Sequence, residues 1–141
     1  MKKVIDFLTG CNTSVLATST NGKPRASIME HAIVNGVILI STDGNSIKGK
    51  NLATNPHISL SAQKLPVYVT VDGTAVPATE AEIAAYHRVL FTNHPEFKEM
   101  MDAGMMQNYV YYRIVPETAY LSDMSKGMDV EIIKAQLCTA S

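Results

Sequence analysis

Asn35-Gly36-Val37-Ile38-Leu39-Ile40-Ser41-Thr42-Asp43-Gly44-Asn45-Ser46-Ile47-Lys48 is the stretch that decides how this chain folds. Asn-Gly favours a two-residue hairpin turn, because both central positions of that turn need positive φ. The β-branched run Val37 to Thr42 then reads as a strand, and Asp43-Gly44-Asn45 breaks it. Ser46 is a helix-capping residue, and a short helix is predicted over residues 46–54, ended by Asn55-Pro56. Working outward, Asn21-Gly22 closes an earlier hairpin between strands predicted at 13–20 and 25–34, so residues 13–42 read as a three-stranded antiparallel meander. Downstream, residues 57–63 and 67–76 give two more strands, and five antiparallel strands invite closure into a barrel.

The flanks are helical. Lys3 to Thr9 places Val4, Ile5 and Leu8 at helical spacing and stops at Gly10. Thr79 with Glu82 forms a capping box ahead of Ile83, Tyr86, His87, Leu90 and Phe91, which repeat at intervals of three and four to near Thr92. Pro95 opens a second helix, lined by Phe97, Met100, Met101, Met105 and Met106 despite Gly104. Tyr109–Val115 and Thr118–Met124 are predicted as two closing strands around Pro116. Residues 125–141 are weakly patterned, with Val130, Ile132 and Ile133 as packing points. The predicted class is mainly β with α, in one domain spanning residues 1–141.

Composition narrows function. Of 141 residues 46% are apolar and 18% charged, which suits a compact core and not a disordered chain. The net charge of −1 offers no general attraction to a polyanion, so a duplex-coating role is excluded. Cys11 and Cys138 are read as free thiols in a reducing cytoplasm. No apolar run approaches the ~20 residues that span a bilayer, and the N-terminus lacks the pattern of a signal peptide, so the expectation is a cytoplasmic protein with no membrane partner.

Charge is unevenly placed. Residues 22–64 carry Lys23, Arg25, Lys48, Lys50 and Lys64 against Glu30 and Asp43, while residues 65–141 are acidic. Lys48 and Lys50 fall in the first turn of the predicted helix, where the macrodipole is positive and each cation costs ~0.3–1 kcal/mol. An anion at that helix start relieves the conflict and accepts bonds from Ser46 and free backbone N–H groups. A phosphate suits this description. Ser41 and Thr42 add hydroxyls at the end of the preceding strand, and Arg25 and Ser27 alternate onto one face of the neighbouring strand.

These residues resemble a family. Gly22-Lys23-Pro24-Arg25-Ala26-Ser27-Ile28-Met29, then Gly36 to Thr42, then Ser46-Ile47-Lys48 with Asn51-Leu52 and Asn55-Pro56, look like the FMN-binding split barrel of the pyridoxamine 5′-phosphate oxidase-like flavoproteins. The resemblance covers most of the chain and implies an antiparallel split β-barrel of six to seven strands with flanking helices. It implies that Arg25 and Lys48 bind the FMN phosphate with Ser46, that Ser27, Ile28 and Met29 run under the flavin, and that Ser41 and Thr42 touch the cofactor. It also implies a homodimer with FMN at the interface, and a small-molecule substrate or electron donor. Deazaflavin and haem are alternative cofactors of such barrels. Ile47 stands where the family often has Arg, and Pro66, Val67 or Tyr68 where it often has a polar residue. True pyridoxamine phosphate oxidases carry a C-terminal Trp and Arg-rich segment, whereas this chain has no Trp and no Arg after Arg113. The expected function is thus an FMN-dependent oxidoreductase on another small substrate, with a non-catalytic flavin-binding or electron-carrier module as the alternative.

Other chemistries lack their residues. No pair among His31, His57, His87 and His94 has metal-site spacing, so no metal is expected. No nucleophile elbow, phosphate-binding loop or dinucleotide fingerprint occurs. Tyr109, Tyr111 and Tyr112 suggest base stacking, but the acidic half around them argues against a nucleic-acid-binding barrel. The methionine pairs suit adaptable packing better than a substrate pocket. No catalytic residue is assigned; His31, Tyr68 and Tyr120 are candidates by chemistry alone.

Overall fold

Strand periodicity and two Asn-Gly turns generate the framework. The computed structural model describes residues 1–136, so Cys138 lies outside the described residues. Helix α1 (Lys2–Thr9) precedes strands β1 (Thr13–Thr20), β2 (Lys23–Glu30), β3 (Ala32–Val34) and β4 (Val37–Asp43). Helix α2 (Ile47–Thr54), strands β5 (His57–Lys64) and β6 (Val67–Pro77), and helices α3 (Glu80–Asn93) and α4 (Pro95–Asp102) follow. Strand β7 (Tyr109–Asp123), a single 3-10 turn (Met124–Lys126) and strand β8 (Val130–Lys134) complete the order. Asn21-Gly22 and Asn35-Gly36 all have positive φ, between 50° and 77°, as the hairpin reading requires.

All strands belong to one antiparallel sheet in the order β2-β1-β5-β6-β7-β4-β3, with β8 added on β7. The split-barrel expectation is met, but three details differ. The strand expected over residues 25–34 divides at His31: β2 pairs with β1, while β3 pairs with β4 at the other end of the sheet. There is therefore no continuous three-stranded meander; one strand bridges both ends of the sheet and curls it into a barrel. The two closing strands are one strand, β7, because Pro116 falls at a register shift opposite Asp72 and Gly73, where a bulge tolerates a residue without an N–H. The weakly patterned tail supplies β8, with Thr118 opposite Lys134 and Ser122 opposite Val130. Helix α4 stops at Asp102 and Gly104 has φ +76°, so Met105 and Met106 lie beyond it; Met106 is buried and Met105 exposed.

The barrel interior is filled by Leu16, Ile38, Ile40, Leu60, Val69, Val71 and Ile114, and α1 closes one end with Val4 and Leu8, both fully buried. A smaller cluster of Ala32, Leu39, Tyr86 and Leu90 fixes α3 against the outer face of β3 and β4. His31, at the division of the bridging strand, is buried. Its Nε2–H donates to the Leu8 carbonyl at 2.9 Å, and its Nδ1 accepts from the Ser14 hydroxyl at 3.1 Å. The imidazole thus joins α1, β1 and the bridge.

Two predictions follow from this packing. A Cβ on Gly73 would lie 2.4 Å from the Val115 carbonyl oxygen and 3.2 Å from Pro116 Cα, all backbone atoms. Gly73→Ala is expected to lower stability by about 1–3 kcal/mol in urea unfolding. Burial holds the His31 imidazole below its ordinary value of 6.5, partly offset by its bond to Leu8. The unfolded chain takes up the proton first, so stability is complete above pH 6.5 and declines as pH falls below it. Urea midpoints measured from pH 7.5 to 5.5 are expected to fall, and to fall less in His31→Asn.

Candidate functional site

The site starts with how the chain turns from β4 into α2. Ser46 is extended, and its Oγ accepts the Gly49 N–H at 3.1 Å, donates to the Asp43 carbonyl at 2.6 Å and lies 3.1 Å from Thr42 Oγ1. The hydroxyl is occupied inside the turn. What the helix presents outward is the backbone N–H of Ile47 and Lys48, which have no carbonyl of their own helix to meet. Gly49 is required because a Cβ there would stand 2.3 Å from the Asp43 oxygen and 2.9 Å from Gly44 Cα. The turn and the helix start are therefore in backbone contact.

The Asn-Leu and Asn-Pro pattern serves anchorage. Asn51 Nδ2 donates to Thr18 Oγ1 at 3.1 Å with both residues buried, and Asn55 Nδ2 donates to the Ser19 carbonyl at 3.2 Å. These bonds fix α2 against β1, and β2 follows by its register, with Thr18 opposite Arg25 and Thr20 opposite Lys23. Arg25 then lies in a groove of about 450 Å³ shared with Asn21, Lys23, Pro24, Ile47 and Asn51. Lys48, which follows Ile47, is half-buried and does not line that groove. Among the described residues, Lys23, Arg25, Lys48 and Lys50 form no ion pair.

Strand alternation separates the other expected contacts. Met29 is 5% exposed and belongs to the barrel core, whereas Ile28 is 79% exposed on the outer face. Ile28 lines a second groove of about 440 Å³ with its cross-strand neighbour Val15 and with Ser61, Gln63, Tyr68 and Thr70. Ser27 is half-buried opposite Leu16. Thr42 is buried and turned toward Ser46; Ser41 faces the other way and shares a 2.9 Å hydrogen bond with the Tyr86 hydroxyl. Tyr86 is 2% exposed, and burial pushes its phenol up to about 12. Arg25 and the start of α2 are thus brought together, Ile28 and Tyr68 share the outer groove, Tyr120 is exposed, and His31 is committed to the interior.

Lys23 and Asn51 were not among the expected contacts. The spacing of Lys23, two residues before Arg25 on one strand, was a readable signal for the first; the partner of Asn51 lies 33 residues away and gave none. Among the described residues no group of three His, Cys, Asp or Glu side chains can hold a metal, and no helix is long and apolar enough to cross a membrane.

Comparison with known proteins places this geometry. No curated protein matches the chain. A conserved hypothetical protein from Mycobacterium tuberculosis is 27% identical, with 99% of this chain and 93% of that one covered at a TM-score of 0.69. An FAD-binding protein from Mesorhizobium loti is 18% identical over 85% of this chain and 90% of its own, at a TM-score of 0.67. A heme binding protein from Mycobacterium smegmatis is 20% identical over 88% of this chain and 53% of its own, at a TM-score of 0.72. The sequence profile of the family described as pyridoxamine 5′-phosphate oxidase matches residues 1–123, which include the bridging strand, the α2 turn and the whole of β7, and the chain belongs to that family.

Proposed function

We propose that this protein is an FMN-dependent oxidoreductase acting on a small molecule, with its cofactor held in the cleft beside β2. One observation carries the reading: among the described residues Arg25 and Lys23 line one groove without carboxylate partners, together with Ile47 at the start of α2, whose first N–H groups are free. Such a place is suited to a dianionic phosphate, which gains charge-assisted bonds and relieves the cations opposed to the helix dipole. Arg25 supplies a fork of donors, Lys48 a point charge, and the Ile47 and Lys48 amides directed bonds. Ser46 contributes by shaping the turn, since its own hydroxyl is occupied. When bound, FMN supplies two-electron chemistry through its ring.

The outer face supports the expected homodimer. Ile28, Val15, Tyr68, Tyr120 and Ile132 are exposed apolar or aromatic side chains, alternating with Ser61 and Thr70, whose hydroxyls bond to each other at 2.9 Å. A second copy seated there would cover the open groove at Ile28 and keep water from a bound ring. The flavin-binding and haem-binding neighbours support a planar cofactor in this fold. A carrier without turnover is favoured by one finding, the commitment of both His31 nitrogens to structural bonds.

Purified protein is expected to show flavin absorbance, and the Arg25→Ala, Lys48→Ala double variant to keep its circular dichroism while losing at least about a hundredfold in FMN affinity, from two charge-assisted contacts. Undiminished affinity would overturn the phosphate assignment; a haem spectrum, or release of a deazaflavin, would replace the cofactor. Ile28→Asp is expected to shift the protein from dimer to monomer in sedimentation. Turnover with nicotinamide donors and an acceptor panel separates the enzyme from the carrier.

A further inference from the structure

The two bonds that close the end of α4 join four residues, three of them methionine. Gly104, at φ +76°, donates its N–H to the Met101 carbonyl at 3.0 Å, and the Met105 N–H donates to the Met100 carbonyl at 2.9 Å. In a helix closed this way on a left-handed residue, the side chain after that residue commonly packs on the one whose carbonyl its N–H meets. Here those two positions hold the thioethers of Met105 and Met100. Met100 is half-buried, Met101 and Met105 are 42% and 64% exposed, and Met106 is 7% exposed. The apolar side of the cap is thus open to water, while the next residue is anchored inside. From Met106 the chain runs directly to the turn between β4 and α2. The Tyr109 N–H donates to the Met106 carbonyl at 3.2 Å, and the Asn108 carbonyl accepts the Gly44 N–H at 2.8 Å. A Cβ on Gly44 would lie 3.1 Å from that same Asn108 oxygen, and one on Gly49 would lie 2.9 Å from Gly44 Cα. The end of α4 and the start of α2 are therefore linked through backbone contacts.

We propose that Met105 is a site of oxidation by hydrogen peroxide, and that its sulfoxide opens the end of α4 and loosens the turn that starts α2. In the step, a lone pair of the Met105 sulfur attacks one peroxide oxygen. The S–O bond forms and the O–O bond breaks; the sulfur loses two electrons, and the departing oxygen takes the proton of the transferred one and leaves as water. No cofactor takes part. The product carries a polar, chiral group where an apolar one stood. A helix end of this kind has two arrangements, closed on Met100 or frayed, and a polar group at Met105 favours the frayed one because it loses the apolar contact that accompanies the closed one. Met128 is 80% exposed but lies between the 3-10 turn and β8, outside both segments, so its oxidation leaves them as they are.

The test treats the full chain with graded hydrogen peroxide and reads it by peptide mapping for the added oxygen and by amide hydrogen exchange. Met105 is expected to oxidise alongside Met128 and well ahead of the buried Met106. Exchange at Gly104, Met105 and Gly44 is expected to rise roughly three- to tenfold, the range that loss of one helix cap supplies. Met105→Leu keeps an apolar side chain but has no sulfur to oxidise at this position. The same treatment is expected to leave its exchange unchanged, although Met128 takes up oxygen as before. Met105 staying reduced while Met128 is oxidised overturns the proposal. So does a rise below about twofold at Gly44 in the parent chain oxidised at Met105. An undiminished rise in Met105→Leu overturns it as well, since the effect then belongs to another methionine.

Discussion

The structure depends on one constraint: residues 23–34 cannot pair with a single neighbour along their whole length. Their first half is held by β1 and their second by β4, which are separated in the sheet by β5, β6 and β7. The chain must therefore cross between the two ends of the sheet at His31, and the backbone groups along the outer edge of β2 are left without a strand beside them. A sheet closed in this way keeps a seam. Burial of the imidazole with both nitrogens satisfied makes the crossing tolerable in the interior, since an unpaired polar group there costs about 1–3 kcal/mol.

The seam organises the chemistry by polarity. At one end, α2 begins close to β2 because Gly49 permits backbone contact with the Asp43 turn and because Asn51 and Asn55 bind β1. Cations collect there. At the other end of β2 stands Glu30, and α3 presses Tyr86 onto Ser41 of β4. The near-neutral chain thus carries a basic and an acidic residue at opposite ends of one strand.

Much of this was legible in the sequence, for identifiable reasons. Both Asn-Gly turns, the capped helix after Asp43-Gly44-Asn45 and the Thr79–Glu82 capping box are local signals, and each is present as read. The grouping of Arg25 with the start of α2 followed from strand alternation and dipole arguments. What failed depended on distant partners. The division at His31 requires β1 and β4 to compete for one strand, and Pro116 stays within β7 only because Gly73 opposite it lacks a side chain. Ser41 and Tyr86 meet across 45 residues, and Ser46 turned out to be saturated by atoms three residues away, a local bond that period and propensity do not encode.

The last strand has a consequence for how the molecule is made. Lys3 of α1 is paired with Glu131 of β8, and Ile33 and Ile133 pack on the same interior that receives Val4 and Leu8. Helix α1 thus finds part of its surroundings in residues more than a hundred positions further along the chain. Contacts so distant in sequence are slow to form, because loop-closure entropy is lost before they are gained. Until β8 is in place, the apolar side of α1 and the outer edge of β7 have incomplete cover, which exposes the folding chain to misassociation.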